Sequence, residues 1–190
     1  VTVKNIENGK IITESYDKLV LSPGAKPIKP GLDGIDSDKI FTLRTVEDTL
    51  RLKKYTDEHQ LKSAVVVGGG FIGIEVAENL RELGIDVTLV EAADQLMAPF
   101  DRDMASFIHA EIRKNSIHLM LDTMVEGFAD TDYGIDVKLK NAPTLHTDMV
   151  VMAIGVAPET TLAKDTGIEL GIKGSIVVND KMETSIPDIY

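Results

Sequence analysis

Apolar positions along the chain change period in a regular order. Val1 and Val3 alternate with polar neighbours, and Ile11, Ile12 and Thr13 resume strand chemistry beyond Asn8-Gly9, the pair favoured in a two-residue type I′ hairpin turn. Tyr16–Leu21 reads as a further strand running into Ser22-Pro23-Gly24-Ala25. More breakers follow at Pro27, Pro30, Gly31 and Gly34, the composition of a linker or crossover. Thr45 followed by Asp48 is an acidic capping box, predicting a helix to about His59 with Val46, Leu50 and Tyr55 turned inward. Ser63–Val67 is a wholly apolar run of the kind covered on both faces. Gly68-Gly69-Gly70-Phe71-Ile72-Gly73 follows at once, and Ile74–Leu83 has helical spacing closed by Gly84.

A second apolar strand, Val87–Glu91, ends on an acid. Asp101 is a candidate cap for a third helix with Met104, Phe107, Ile108 and Ile112 on one face. Ile117–Leu121 is strand-like. Val125–Phe128 and Ile135–Leu139 flank Asp130–Gly134 as an antiparallel meander, Met149–Gly155 is a last buried strand, and Ile176–Val178 is a short one near the end. Strands alternating with helices through glycine turns predict an α/β fold with a Rossmann-type parallel sheet carrying the meander.

Composition narrows the function. The 190 residues hold 20 Lys+Arg against 31 Asp+Glu, a net charge of −11, which disfavours duplex DNA and anionic membrane as partners. No apolar run approaches the roughly 20 residues of a membrane span, and no signal pattern opens the chain, so a cytoplasmic location is expected. The absence of cysteine excludes disulfides, thiolate metal sites and thiol chemistry by these residues. His59, His109, His118 and His146 have no metal-ligand spacing, and no metal is expected. Met97, Met104, Met120, Met124, Met149 and Met152 read as core gap-fillers.

The chemistry concentrates at Gly68–Gly73. A lone GxGxxG is weak evidence, but here the glycines follow a buried strand, open a helix, and precede an acid, Glu91, at the tip of the next strand 91 − 73 = 18 residues beyond Gly73. Gly68 permits the sharp exit from the strand, Gly70 lets main-chain N–H groups reach a pyrophosphate, and Gly73 allows close helix–strand packing. The helix N-terminus offers unpaired donors and partial positive charge, while Glu91 is placed to accept from ribose hydroxyls. The alternative is a β–α turn that binds nothing, with Glu91 merely solvated. Ala92, Ala93 and Asp94 follow Glu91, and the first basic residue is Arg102, so NAD(H) is expected over NADP(H). Phe71 and Glu75 share a face of the helix start, either beside a nicotinamide or simply as a core aromatic and a surface carboxylate.

Four segments carry a wider resemblance: Tyr16–Ala25, Val66–Glu75, Asp94–Asp101 and Ala153–Thr160, with Met182–Tyr190 similar to the approach to a second flavin motif. On these the chain resembles the pyridine nucleotide-disulfide oxidoreductases, within them the coenzyme A-disulfide reductases, NADH oxidases and NADH peroxidases. The segment Gln95–Asp101 looks most like the first of these. The resemblance implies that Gly68, Gly69, Gly70, Phe71, Ile72 and Gly73 hold the NAD pyrophosphate region, with Phe71 an aromatic gate over the flavin. It implies Glu91 for the adenosine ribose, Glu75 near the carboxamide, and Ile154 and Gly155 bordering the nicotinamide. Ser22, Pro23 and Gly24 would lie in the crossover that touches FAD. Ala157 departs from the Arg that many members carry.

The same resemblance implies a fragment. Residues 1–43 would be the end of a first FAD-domain segment, 44–158 the NAD(H)-binding domain, and 159–190 the start of a second FAD-domain segment. The flavin-binding glycine motif and the redox cysteine would lie upstream, leaving no catalytic residue in this chain and the chain by itself inactive. The full-length protein would be an FAD-dependent NADH:disulfide oxidoreductase and a homodimer, passing hydride from NADH to FAD and on to a small-molecule disulfide. An NADH oxidase or peroxidase, or a non-catalytic NAD(H)-sensing module, are the alternatives.

Overall fold

The computed structural model describes residues 1–190. Twelve strands and four helices follow in chain order: β1 (Thr2–Lys4), β2 (Ile11–Thr13), β3 (Ala25–Pro27), β4 (Ile40–Phe41), α1 (Val46–Glu58), β5 (Ser63–Val67), α2 (Phe71–Glu82), β6 (Asp86–Val90), α3 (Arg102–Lys114), β7 (His118–Met120), β8 (Val125–Thr131), β9 (Gly134–Leu139), β10 (Leu145–Thr147), β11 (Met149–Met152), β12 (Val156–Pro158) and α4 (Thr161–Lys164). They fall into two compact units, Pro27–Val156 and the discontinuous pair Val1–Lys26 with Ala157–Tyr190. Residues 27–43, grouped with the first flanking segment in the sequence reading, belong to the larger unit. Ile40 and Phe41 are buried in its core, with Leu32 and Ile35 packed alongside.

The larger unit has three layers. Its middle is a parallel sheet in the order β4-β11-β5-β6-β7. Because successive side chains of a strand point to opposite faces, β5 feeds two cores at once. Ala64 and Val66 pack with Val76, Ala77 and Leu80 of α2 and with Ile112 of α3. Val65 and Val67 pack on the other face with Phe128, Ile135 and Val137 of the antiparallel sheet β10-β9-β8. A strand so placed has no polar face, which is why Ser63–Val67 reads as an unbroken apolar run.

The smaller unit is stitched by its two ends. Leu19 bridges Ile189 in parallel, the Leu21 N–H donates to Tyr190 O at 2.6 Å, and Ala163, Ile168 and Ile189 form its core. Tyr16–Leu21 forms that single bridge rather than a strand, and Ile176–Val178 likewise gives only a bridge from Ile176 to Leu170.

Four local expectations need correction. The β1–β2 hairpin pairs as read, but its loop is the four residues Ile6–Gly9, not a two-residue turn. The Asn5 carboxamide accepts from the Glu7 and Asn8 amides, so only Gly9 takes positive φ, whereas type I′ needs two such residues. On α1, Val46 is 70% and Leu50 59% exposed, while Leu52 and Tyr55 pack on the core. Val46 and Tyr55 lie nine residues, about two and a half turns, apart and therefore on opposite sides. On α3 the buried stripe is Ala105 and Ile112 with Ile108 beside them, leaving Met104 and Phe107 exposed; Met124 too is exposed rather than a core filler.

The start of α1 is secured as the sequence pattern indicates. The Asp48 N–H donates to Thr45 Oγ1, and the Asp48 carboxylate accepts from the Thr45 and Arg44 amides. The Thr45 amide bond is the main reason the Asp48 carboxyl sits below the usual carboxylate range. Thr45→Ala is expected to lower the unfolding free energy by about 1 kcal/mol, read from urea denaturation with an unchanged m-value.

Candidate dinucleotide site

The site lies where the strand order reverses, at the carboxyl ends of β11, β5 and β6, the general position for ligands of open parallel sheets. Hydrogen bonds from both sides pin the exit of β5: the Gly68 N–H donates to Val90 O at 2.8 Å and the Ala153 N–H to Val67 O at 2.7 Å. Gly68 has φ +110°, and a Cβ there would sit 2.4 Å from Ala153 O. At Gly73 a Cβ would sit 1.9 Å from Gly68 O, so α2 rests directly on the turn. Gly70 differs, since a side chain added there meets nothing within 4 Å. Gly70 is also the N-cap of α2 and gives no side-chain cap, so the first amides of the helix are left without a side-chain acceptor.

Glu91 follows β6 directly. Its carboxylate accepts from the Gly69 N–H at 2.6 Å and the Ala93 N–H at 2.8 Å, which holds it across the mouth of the turn. Each oxygen keeps a further lone pair for a ligand hydroxyl. Beside it a cavity of about 390 Å³ is lined by Val67, Gly68, Val90, Glu91, Met152 and Ile154 among others, none of them basic. The first basic residue after Glu91, Arg102, is ion-paired with Asp94. The dinucleotide chemistry therefore fits the residues present: uncapped helix amides for a pyrophosphate, a carboxylate for a ribose diol, and no basic side chain in the cavity lining for a 2′-phosphate.

The other expected residues spread around this centre. Phe71 is 62% exposed, its ring edge-on to Phe100 at 6.5 Å between centroids. Ile154 and Gly155 follow β11 and are exposed, and the Gly155 carbonyl accepts from Ile28 N–H. Ile72 and Glu75 open instead on a smaller hollow with Leu43, Arg44, Thr45 and Thr49 at the start of α1, apart from the Glu91 cavity. Ser22, Pro23 and Gly24 belong to the smaller unit.

The segment Asp94–Phe100 also shapes the site. Its Met97 N–H donates to Gly69 O at 2.9 Å, and Leu96 Cδ2 fills the space above Gly69, where a Cβ would come within 2.2 Å. Met97 takes φ +54°, a strained value for a buried methionine that no composition or period announces. Thr123, whose N–H donates to Glu91 O, also lines the cavity unannounced.

A parallel sheet with a glycine turn, a bare helix N-terminus and an acid on the next strand defines a Rossmann-type dinucleotide fold. The family model for pyridine nucleotide-disulphide oxidoreductases matches residues 1–190, and the chain belongs to that family. It is 38% identical over all 190 residues to the coenzyme A disulfide reductase of Staphylococcus haemolyticus, of which it spans 42%. Reduced Bacillus anthracis CoADR-RHD superposes with TM-score 0.94 at 47% identity, covering the whole of this chain and 34% of that one. The water-forming NADH oxidase of Lactobacillus brevis, bound to NADH, gives TM-score 0.90 at 36% identity over the whole of this chain and 41% of that one. The chain thus spans less than half the length of these relatives.

The two glycines of the turn separate fold from ligand. Gly68→Ala is expected to cost at least about 2 kcal/mol of stability through its positive φ and the contact with Ala153 O. Gly70→Ala, at a permitted φ and facing open space, should cost less, about 0.5–1 kcal/mol, the loss of a glycine N-cap. Paired thermal melts check both.

Proposed function

We propose that this chain is the NAD(H)-binding region of an FAD-dependent NADH:disulfide oxidoreductase, most like coenzyme A-disulfide reductase. The observation that carries the reading is the pairing of a bare α2 N-terminus at an open Gly70 with the Glu91 carboxylate fixed across from it. Bound NADH supplies a hydride for the flavin. The protein's part is position: the amides following Gly70 take the pyrophosphate, Gly68 and Gly73 keep the turn tight, and Glu91 takes the adenosine ribose. Phe71, exposed at the first residue of α2, is the aromatic gate, Ile72 stays with the pyrophosphate amides, Glu75 lies beside the carboxamide end, and Ile154 and Gly155 border the nicotinamide.

Ser22, Pro23 and Gly24 are assigned to the FAD crossover; the positive φ of Gly24 with open space around it suits a backbone approached by a ligand. These 190 residues hold no cysteine, so in this reading the thiol chemistry falls to residues outside them, and the chain alone turns nothing over. The parent is read as a cytoplasmic homodimer whose partner is a small-molecule disulfide such as that of coenzyme A. The net charge of −11 disfavours nucleic acid as a partner of this region, and no helix of these residues is long and apolar enough to cross a membrane. The likeness to the NADH-bound oxidase favours one second reading, in which dioxygen or peroxide takes the electrons at the end and the NADH site is unchanged.

Calorimetry on the full-length flavoprotein is expected to show NADH binding tighter than NADPH by at least about tenfold, since a 2′-phosphate would meet the Glu91 carboxylate. Glu91→Ala should narrow that ratio to within about threefold. Equal affinities before substitution would refute the ribose assignment.

A further inference from the structure

The segment Asp94–Phe100 has to be held down for the glycine turn to keep its shape. Leu96 is fully buried, and its N–H has no main-chain acceptor; it donates instead to His109 Nε2 of α3 at 3.0 Å. A main-chain N–H can only donate, so this contact requires Nε2 to be unprotonated. One residue further on, the Met97 N–H holds Gly69 O, and Gly69 in turn donates to Glu91. The path from His109 to the two elements of the dinucleotide site is therefore a continuous run of contacts: imidazole, Leu96 amide, Met97 amide, Gly69 peptide, Glu91 carboxylate.

We propose that His109 is a positioning residue for the dinucleotide site: its neutral ring latches Asp94–Phe100 onto the glycine turn, and its protonation in mild acid releases the latch and weakens dinucleotide binding. The proposal rests on the NAD(H) reading above and adds to it a residue that never touches the ligand. A protonated Nε2 would point a second donor at the Leu96 N–H, leaving a buried donor with no acceptor.

The surroundings of the ring favour the neutral form. Burial lowers its proton affinity below that of free imidazole, and Arg113, one turn along α3, adds to this. On the loop packed against it, Asp94 is paired with Arg102, and the Gln95 side chain donates to Phe100 O. Just beyond β6, the Glu91 carboxylate is engaged by the Gly69 and Ala93 amides. A released loop leaves His109 with its ordinary affinity, so the latched state binds fewer protons. The latch is then complete above the ordinary imidazole value and lost progressively as pH falls below it. Non-specific electrostatics run the other way, because an acidic protein that gains protons attracts a dianion better.

ADP-ribose is the probe: it carries the pyrophosphate and adenosine ribose, lacks the acid-labile reduced ring, and gives a readout independent of turnover. On the full-length flavoprotein, calorimetry is expected to show its affinity falling about fivefold between about pH 7.5 and about pH 5.5. In His109→Gln, whose amide oxygen accepts without titrating, the fall should vanish while affinity near neutrality stays close to that of the unsubstituted protein. In His109→Phe, which keeps the ring but removes the acceptor, binding should be weak at both pH values. The unsubstituted protein gives a second test by NMR, since reciprocity requires ADP-ribose to lower the apparent pKa of His109. Equal pH slopes in the unsubstituted and Gln proteins, or a His109 titration indifferent to ADP-ribose, would overturn the proposal and leave the NAD(H) reading standing. Failure of the unsubstituted protein to bind ADP-ribose near neutrality would remove both.

Discussion

At the end of β5 the backbone must leave the sheet within one residue while segments from both neighbouring strands crowd it. Val90 and Ala153 approach from either side, and α2 settles against the Gly68 carbonyl. Side chains are excluded from this point by main-chain atoms, which cannot swing aside as a rotamer can. The direction of α2 follows from that crowding, as does the placement of its first amides at the open face by Gly70. Steric exclusion on the inside of the turn thus creates the polar opening on its outside.

The division of labour between the two faces of the parallel sheet follows from the same centre. On one face α2 and α3 bury Ala64 and Val66, giving the turn a rigid support. On the other the antiparallel sheet covers Val65 and much of Val67, but stops short of the strand ends and leaves the cavity bounded by Val90, Met152 and Ile154. An apolar hollow with a single carboxylate at its rim suits a flat aromatic base attached to a sugar, because stacking needs no polar partner while the diol needs one.

Much of the centre was readable from the residues alone. β5, β6 and β11 announce themselves because strands covered on both faces lose all polar positions, and Gly68–Gly73 with Glu91 mark the candidate site by order and spacing. What escaped depends on contacts distant in sequence or on phase. β3, β4 and β10 are two or three residues long, too short for any period to show. The inward face of α1 was misjudged because Val46 and Leu50 look suitable until their angle to Tyr55 is counted. The hairpin loop turned on the Asn5 side chain, which competes with the backbone for the turn amides. His109 is a lone histidine on a helix with no neighbouring motif. Its partner amide lies 13 positions earlier in a segment whose course is set by Met97 in an unusual conformation.

The smaller unit has one further consequence, for biosynthesis. Leu19 and Leu21 find their partners only at Ile189 and Tyr190, after the whole of Pro27–Val156 has been made. At ribosomal rates near 5–20 residues per second, that leaves the first segment waiting on the order of ten seconds. During that interval the inserted unit, whose core closes without it, has time to fold and shorten the effective loop between the two halves. A translation pause before residue 157 would favour orderly assembly, and one between 157 and 189 would prolong the exposure of Leu19 and Leu21 to chaperones and proteases.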